Sequence, residues 1–164
     1  MKRVLVLEGL DIGNQGFLRS IQGAAPSLGV VAVAAPVHDA PDIERAITTF
    51  VQDPQGGLIV LPGSTRLDNR DLIVALAARH HLPAMYSTRP FMASGGLMSY
   101  DTDITELWRQ AASYVDRVLR GEKAGDLPVQ VPIKYELVIN LKTAKGLGLE
   151  IPPMLLARAD EVIE

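Results

Sequence analysis

Three glycines, Gly9, Gly13 and Gly16, follow the first apolar run of the sequence and give the pattern closest to a nucleotide-binding turn. Glycine lets backbone N–H groups approach a phosphate, and the start of a helix stabilises the negative charge. The GxxxGxxG spacing also suits a loop and helix start that need small residues. Both interpretations stay open, but Tyr100 and Tyr114 lack the lysine that a reductase carries one helical turn later.

The histidines and serines give little sign of a metal site or of nucleophilic catalysis. His80 and His81 close a predicted helix, where an imidazole suits the negative end of the helix dipole. His38 is the remaining histidine, and a metal site needs further ligands at fixed spacing. Ser64 follows Gly63, but no GxSxG elbow surrounds it. These residues favour neither a metal centre nor a serine nucleophile.

Polar residues in the predicted loops are better suited to binding than to catalysis. Arg89, in YSTRPFM, can hold a carboxylate with its planar fork, or it can be a solvated loop arginine. Ser64 and Thr65 follow a predicted strand, where such residues bind a ligand or cap the next helix. Asp11 and Asn14 have the same two interpretations, helix capping or ligand contact.

The composition excludes several classes of protein. The 164 residues are 48% hydrophobic and 21% charged, which predicts one globular domain. The net charge of −3 gives no basic surface for nucleic acid. No apolar run approaches the roughly 20 residues of a membrane helix. MKRVLVLEGL lacks an export signal, so the chain as given is expected in the cytoplasm, or as a piece of a longer exported protein.

Predicted strands alternate with predicted helices along the chain. Residue Asp39 is placed to cap one helix and Asn140 to cap another. The pattern predicts an α/β fold with a doubly wound, mostly parallel sheet and helices on both faces. The predicted strands are residues 4–7, 30–37, GGLIVLP, LPAMYS, GGLMSY and KYELVINL; predicted helices include residues 67–80 and 102–120 and a last one beginning in IPPMLLARADEVI.

Ligands in such sheets bind outside the carboxyl ends of the strands. This rule predicts a site built from the loops at residues 8–16, 62–68 and 86–95, joined by the elbow at Tyr100. The long helix after this elbow carries an apolar stripe. The stripe suits packing against this sheet, against a second lobe or against a second subunit. It comprises Leu107, Ala111, Tyr114, Val115, Val118 and Leu119, with Trp108 to one side.

The carboxyl-terminal half contains three long motifs that resemble one known family. They are GGLMSYDTDITELW, AASYVDRVLRGEKAGDLPVQ and KYELVINLKTAKGLGLEIPPMLLARADEVIE. They resemble the end of ABC-transporter substrate-binding proteins of the uncharacterised, tryptophan-binding-protein-like group. The earlier stretches AAPSLGV, GGLIVLP and LIVALAARHHLPAMY are similar to the second lobe of that family. Asp101 departs from the family, which often has glycine after SY.

The resemblance implies one lobe of a type I periplasmic-binding-protein fold. Proteins of this kind carry out no chemistry, so the resemblance implies no cofactor and no metal. It implies a component of an ABC importer that binds a small amino-acid-like or carboxylated solute and delivers it to a permease. The location implied is periplasmic or extracellular, as in a lipoprotein. The ligand-binding residues expected by this resemblance are Asn14, Ser64, Thr65, Arg89 and Tyr100.

The resemblance also suggests how the chain is divided. Residues 1–100 are expected to form the solute-binding second lobe. Residues 101–164 are expected to form the helix that crosses the hinge and the last strand and helices, which pack on or near the same lobe. We expect a truncated protein that lacks the first lobe and forms a homodimer through the surface left exposed. The alternative from a different class is a Rossmann-like nucleotide-binding enzyme domain that uses Gly9 to Gly16.

Overall fold

A computed structural model describes residues 2–9, 12–53 and 56–164. Strands and helices alternate through most of these ranges. The strands are β1 (Lys2–Glu8), β2 (Val30–Pro36), β3 (Gly56–Val60), β4 (Ala84–Tyr86), β5 (Met98–Thr102), β6 (Tyr135–Asn140) and β7 (Glu161–Ile163). The helices are α1 (Ile12–Ala24), α2 (Ala40–Phe50), α3 (Ser64–Asp68), α4 (Arg70–Arg79), α5 (Pro90–Ala93), α6 (Ile104–Leu119), α7 (Leu141–Gly146) and α8 (Pro153–Leu156).

The strands form one sheet in the order β2-β1-β3-β4-β5-β6-β7. Every neighbouring pair is parallel except β5 and β6. Therefore β6 and β7 run opposite to the other five strands and begin at the edge where those strands end. The predicted α/β fold with a doubly wound, mostly parallel sheet is confirmed.

The main core lies between one face of the sheet and helices α2, α4 and α5. Leu5 and Leu7 of β1 point into it beside Leu58 and Val60 of β3, as the register pairs Leu5 with Leu58. The helices contribute buried apolar side chains that include Ile43, Ile47, Phe50, Ile73, Leu76, Ala77 and Phe91.

Both helix caps predicted from the sequence are present. The Asp39 carboxylate accepts a hydrogen bond from the backbone N–H of Asp42 at 2.9 Å, and Asn140 accepts one from Thr143 at 3.0 Å. A third cap, Asp103, accepts from the N–H groups of Thr105 and Glu106 at the start of α6. These side chains pair first-turn donors that have no partner within the helix.

Two predicted helices differ in the structure. The helix predicted at 67–80 is two helices, α3 and α4, which meet at Asn69. The final helix was predicted too long, because only 153–156 is helical and 161–163 forms β7. The cause is pairing with β6: Asp160 donates its N–H to the carbonyl of Leu137 at 2.9 Å and accepts the Leu137 N–H on its carboxylate at 2.8 Å.

Helix α6 lies outside the core, so the interpretation that its stripe packs against this sheet is wrong. No side chain of α6 is buried, and Trp108 and Leu119 are 70% and 80% exposed. Polar contacts hold its first turn: Lys134 donates to the Asp103 carboxylate at 2.6 Å, and Asp103 donates its N–H to the Lys134 carbonyl. The stripe is left free to meet a second lobe or a second subunit.

We predict that Ile47→Ala lowers the free energy of unfolding by about 2–5 kcal/mol, because Ile47 is fully buried and the neighbours cannot refill its volume. The control is Thr49→Ala, an exposed β-branched residue of the same helix, which should change stability by less than about 0.5 kcal/mol. Urea denaturation followed by circular dichroism measures both. Equal losses would contradict the position of the core.

We also predict that acid loosens the start of α6. The Lys134 ammonium, followed by the Glu106 N–H, holds the pKa of the Asp103 carboxyl below its ordinary value of 3.8. A lowered folded-state pKa gives stability that is present above the ordinary value and lost as the pH falls through the lowered one. The N–H groups of Thr105 and Glu106 should therefore be less protected from hydrogen exchange in acid than at neutral pH, after correction for the intrinsic exchange rate. Asp103→Asn should flatten this pH dependence, and an unchanged profile would contradict the role of the charge.

Candidate functional site

The carboxyl ends of β1, β3, β4 and β5 meet at one edge of the sheet, which we call the carboxyl edge. In the sheet, β1 has β2 as its neighbour on one side and β3 as its neighbour on the other. Such a reversal of strand order opens a crevice between the loops after β1 and β3, where open α/β sheets bind ligands. The antiparallel β6 adds its first residue, Tyr135, to the same edge.

A buried arginine ties these two loops together. The guanidinium of Arg66 donates from Nε to the Leu61 carbonyl at 2.8 Å and from Nη2 to Asn14 Oδ1 at 3.3 Å. It also donates to the Pro62 carbonyl, which accepts a further hydrogen bond from Asn14 Nδ2 at 3.1 Å. Asn14, in the first turns of α1, is thereby fixed against the loop that follows β3.

Sequence reasoning missed Arg66, which is only 2% exposed. An arginine among Gly, Ser, Thr and Asp normally indicates a solvated loop, and no local pattern distinguishes this one. Its burial is possible because backbone carbonyls and Asn14 satisfy its donors. Gly63 also leaves room for it, since a side chain at this position would collide with the guanidinium.

The predicted ligand residues near the switch of strand order lie in different surroundings. Asn14 is buried, and both ends of its amide are used in the bracing contacts. Ser64 is exposed and Thr65 half-buried at the start of α3. Asp11 lies outside the described residues. Asn14 therefore has a positioning role in the structure, whether or not it touches a ligand.

Arg89 lies at the other end of the carboxyl edge and contacts two carboxylates. Its guanidinium pairs with Glu161 of β7, and Nη1 lies 3.7 Å from the carboxylate of Glu136 in β6. The side chain is 54% exposed. It is therefore neither a free clamp nor a simple solvated arginine, because it connects the β4 exit to the two last strands while remaining accessible.

Tyr100 forms part of an apolar hollow that we call the aromatic cavity. Its ring stacks on that of Tyr135, with centroids 5.4 Å apart and planes inclined by 11°. The cavity measures about 570 Å³, which is within the range of small-molecule sites. The walls come from α1 and the ends of β3, β4 and β5, and include Phe17, Ile21, Ile59, Leu61, Met85, Ser87 and Thr88.

A second hollow of about 880 Å³, the arginine cavity, lies beside the Arg89 network. Leu67, Met92 and Ile104 supply apolar wall, while Arg89, Asp101 and Glu161 supply charge. Thr88 and Asp101 line both hollows. The two cavities therefore share a border where β4 and β5 end.

Two neighbouring hydroxyl groups, that of Thr88 at this border and that of Ser87 in the wall of the aromatic cavity, lack partners among the described residues. Ser87 Oγ and Thr88 Oγ1 are shielded from solvent, yet neither forms a hydrogen bond in that part of the chain. Buried polar atoms are normally paired, so each such atom requires an explanation. A hydroxyl both donates and accepts a hydrogen bond, so each of these two groups can pair with a donor or with an acceptor.

Other groups at this end of the fold are structural. Burial raises the pKa of Tyr86, whose ring stacks on Phe91 with centroids 4.6 Å apart. A metal site would need several ligating side chains close together. The described residues contain no group of three or more His, Cys, Asp or Glu side chains that could hold a metal ion. Gly16 lies inside α1, and apart from the adjoining part of its own helix no described heavy atom would lie within 4 Å of a side-chain carbon there. It therefore lacks the close helix–strand contact that the last glycine of a dinucleotide motif provides.

Comparison with known proteins gives a family match over most of the chain. A family model described as ABC transporter substrate binding protein matches residues 15–163. No curated protein matches the sequence significantly. No helix among the described residues has the length and hydropathy required to cross a membrane.

Three solved structures share the fold. A conserved domain protein from Vibrio cholerae is 25% identical, with a TM-score of 0.87 over 98% of this chain and 54% of its own. An ABC domain from Streptococcus pneumoniae, solved in complex with L-Trp, is 24% identical with a TM-score of 0.87 over 99% and 56%. A ligand-free, open substrate binding protein with adhesive properties from Clostridium difficile is 16% identical with a TM-score of 0.73 over 99% and 54%. This chain thus spans about half the length of each.

We predict that Arg66→Lys loosens the carboxyl edge and costs about 1–3 kcal/mol of unfolding free energy, because a single ammonium cannot replace the fork and leaves buried acceptors unpaired. Arg70→Lys is the matched control, since Arg70 is 40% exposed and should tolerate the change within about 0.5 kcal/mol. Urea denaturation and the amide spectrum of the 61–66 loop measure the effect. Equal tolerance at both positions would show that the bracing contacts are dispensable.

Proposed function

Because this chain belongs to the family of ABC transporter substrate binding proteins, we propose that it is a solute-binding component of an ABC-type importer. It binds a small amino-acid-like or other carboxylated solute at the carboxyl edge and does not transform it. The edge forms one wall of a cleft, and a facing α/β lobe supplies the other wall.

The observation that carries this proposal is a pair of buried, unpartnered hydroxyls: that of Thr88, which lines both cavities, and that of Ser87, which lines the aromatic cavity. A ligand that displaces the side chains shielding these hydroxyls gains hydrogen bonds that no described protein group supplies. The apolar walls on either side shelter the rest of the ligand. Mostly apolar pockets with a few convergent polar groups are typical of small-molecule sites.

The charges around the arginine cavity favour a zwitterion over a bare carboxylate. Arg89 is a partner for a carboxylate, but Glu136 and Glu161 already lie against it. With Asp101 on the same wall, anionic groups outnumber the guanidinium. An amino acid complements both the positive and the negative charges of this wall, since its carboxylate pairs with Arg89 while its ammonium lies near a carboxylate of the wall.

The aromatic cavity favours an apolar or aromatic side chain on this solute. The Tyr100 and Tyr135 rings and Phe17 give flat apolar surfaces of the kind on which another ring packs. The Streptococcus pneumoniae structure with L-Trp supports a solute of this type. In this proposal Arg89 and Tyr100 contact the solute, Ser64 and Thr65 face the cleft from α3, and Asn14 positions the crevice.

The division of the chain follows from the same proposal. Residues 1–100 form the solute-binding lobe, and residues 101–164 leave it through the elbow after Tyr100 and return as β6 and β7. The partners are the small solute, an ABC permease and a second copy of this chain. The location is the periplasm or the outer side of the cell membrane, where such components meet their solutes.

We predict that L-tryptophan binds the full chain weakly, with a Kd on the order of millimolar, because one wall of a cleft buries only part of a ligand. Amide shifts in two-dimensional NMR should concentrate at 86–89 and 100–102. Indole-3-acetate, which keeps the ring and carboxylate but lacks the ammonium, should bind at least several-fold more weakly.

The matched variants are Thr88→Ala and Thr49→Ala, the second on the exposed side of α2. The first should weaken L-tryptophan binding about tenfold, as expected for the loss of a buried hydrogen bond. The second should leave binding unchanged. Shifts that are absent at saturating ligand, or that lie away from the carboxyl edge, would argue against this site.

A further inference from the structure

Asp101, near the end of β5, is a carboxylate in the wall of both the arginine cavity and the aromatic cavity. The residue is half-buried. Within the described part of the chain, no lysine, arginine or histidine forms an ion pair with it, although such pairs surround it. A partly buried carboxylate without a cation is unfavourable. Asp101 is therefore placed to contact a positively charged group of a ligand.

A second carboxylate lies directly across the sheet from Asp101. The antiparallel register of β5 and β6 pairs Asp101 with Glu136. Side chains at such positions lie on the same face, with Cβ atoms roughly 5 Å apart, and like charges there repel each other. Glu136 is compensated by Arg89 Nη1 at 3.7 Å and by Lys134 Nζ at 3.8 Å. Asp101 has no such compensation, so a cation that binds it relieves the repulsion.

The whole ion-pair network of this region is short of positive charge. Its cations among the described residues are Arg89 and Lys134, and each contacts Glu136 and one further carboxylate. The four carboxylates of the region are Asp101, Asp103, Glu136 and Glu161. With every one of these ion pairs counted, two cations and four carboxylates leave a net charge of −2. The region therefore favours a ligand that brings a cation.

Thr88 supplies a second acceptor at the same border. Like Asp101, it lines both cavities, and its Oγ1 has no hydrogen-bond partner among the residues that the structure describes. An ammonium group donates up to three hydrogen bonds. Once the side chains that shield the hydroxyl move aside, one ammonium can donate to both the Asp101 carboxylate and Thr88 Oγ1.

An organic ammonium suits this place better than a metal ion does. A calcium ion takes six to eight oxygen ligands, and the described residues hold no group of three or more His, Cys, Asp or Glu side chains that could bind a metal. The adjoining cavities of about 880 Å³ and 570 Å³ instead leave room for the rest of an organic molecule.

We propose that Asp101 binds the ammonium group of the solute and thereby selects amines over molecules that carry only a carboxylate. Its Oδ1 accepts the Thr102 N–H at 2.7 Å, while Oδ2 accepts no hydrogen bond from the described residues and is available to the solute. This assignment rests on the proposed solute site and names the carboxylate of its wall that takes the ammonium.

The test is Asp101→Asn, which keeps the size of the side chain and its Oδ1 but removes the charge. Two-dimensional NMR titrations of the full chain compare L-tryptophan, tryptamine, which lacks the carboxylate, and indole-3-acetate, which lacks the ammonium. In the wild type both amines should shift the amides of 100–102 and bind several-fold more tightly than indole-3-acetate. In Asp101→Asn both amines should weaken at least about tenfold, and indole-3-acetate should not weaken.

Three further variants separate the charge of Asp101 from other effects. Asp101→Glu keeps the charge and should retain the preference for amines. Glu136→Gln removes the carboxylate that Arg89 and Lys134 already compensate, and should also keep most of that preference. Asp116→Asn, on the exposed side of α6, should leave all three affinities unchanged. Circular dichroism checks that each variant folds.

The outcomes separate this role from the proposed function. If L-tryptophan binds at the carboxyl edge and its advantage over indole-3-acetate survives Asp101→Asn, or is lost only in Glu136→Gln, the role of Asp101 is overturned and the solute site stands. If tryptamine binds at 100–102 and requires Asp101, but L-tryptophan does not bind there, the ammonium site stands and the amino acid is the wrong solute. If neither amine shifts 100–102, both proposals are overturned.

Discussion

Leu5 of β1 and Leu58 of β3 pack with Ile47 of α2 in one apolar layer, and the sheet takes its register from this burial. A slip of one residue would turn these side chains to the opposite face and lose the core. With the register fixed, β1, β3, β4 and β5 end together. Packing of the core against one face of the sheet therefore places the loops that could bind a solute side by side at the carboxyl edge.

The carboxyl edge, to which we assign solute binding by proposal, and helix α6 are built differently. At the carboxyl edge, Arg66 and Asn14 tie the loops of β1 and β3 into a rigid wall, and Ser87 and Thr88 hold hydroxyls against it without partners among the described residues. Helix α6 instead lies outside the core and is attached through the polar contacts of Asp103. A binding wall needs preorganisation, whereas a helix that docks on another body needs an exposed apolar face.

The sequence allowed prediction of what depends on local chemistry, namely the alternating elements, the doubly wound sheet and the caps at Asp39 and Asn140. It failed where the deciding contact is distant. The burial of Arg66 depends on Asn14, 52 residues away, and β7 exists because β6 offers it hydrogen bonds. The stripe on α6 predicts an apolar face but not what covers it. The roles of Ser64, Thr65, Arg89 and Tyr100 in binding remain predictions.

The most direct test of the proposed solute site is a crystal structure of the full chain grown with saturating L-tryptophan. The proposed function predicts the amino acid at the carboxyl edge, with a polar group within hydrogen-bonding distance of Thr88 Oγ1. Its ring should lie in the aromatic cavity against Tyr100, and its carboxylate should face Arg89. Ordered ligand found only at another surface, or an empty edge at saturation with the cavities open to solvent, would contradict the assignment of this edge as the solute site.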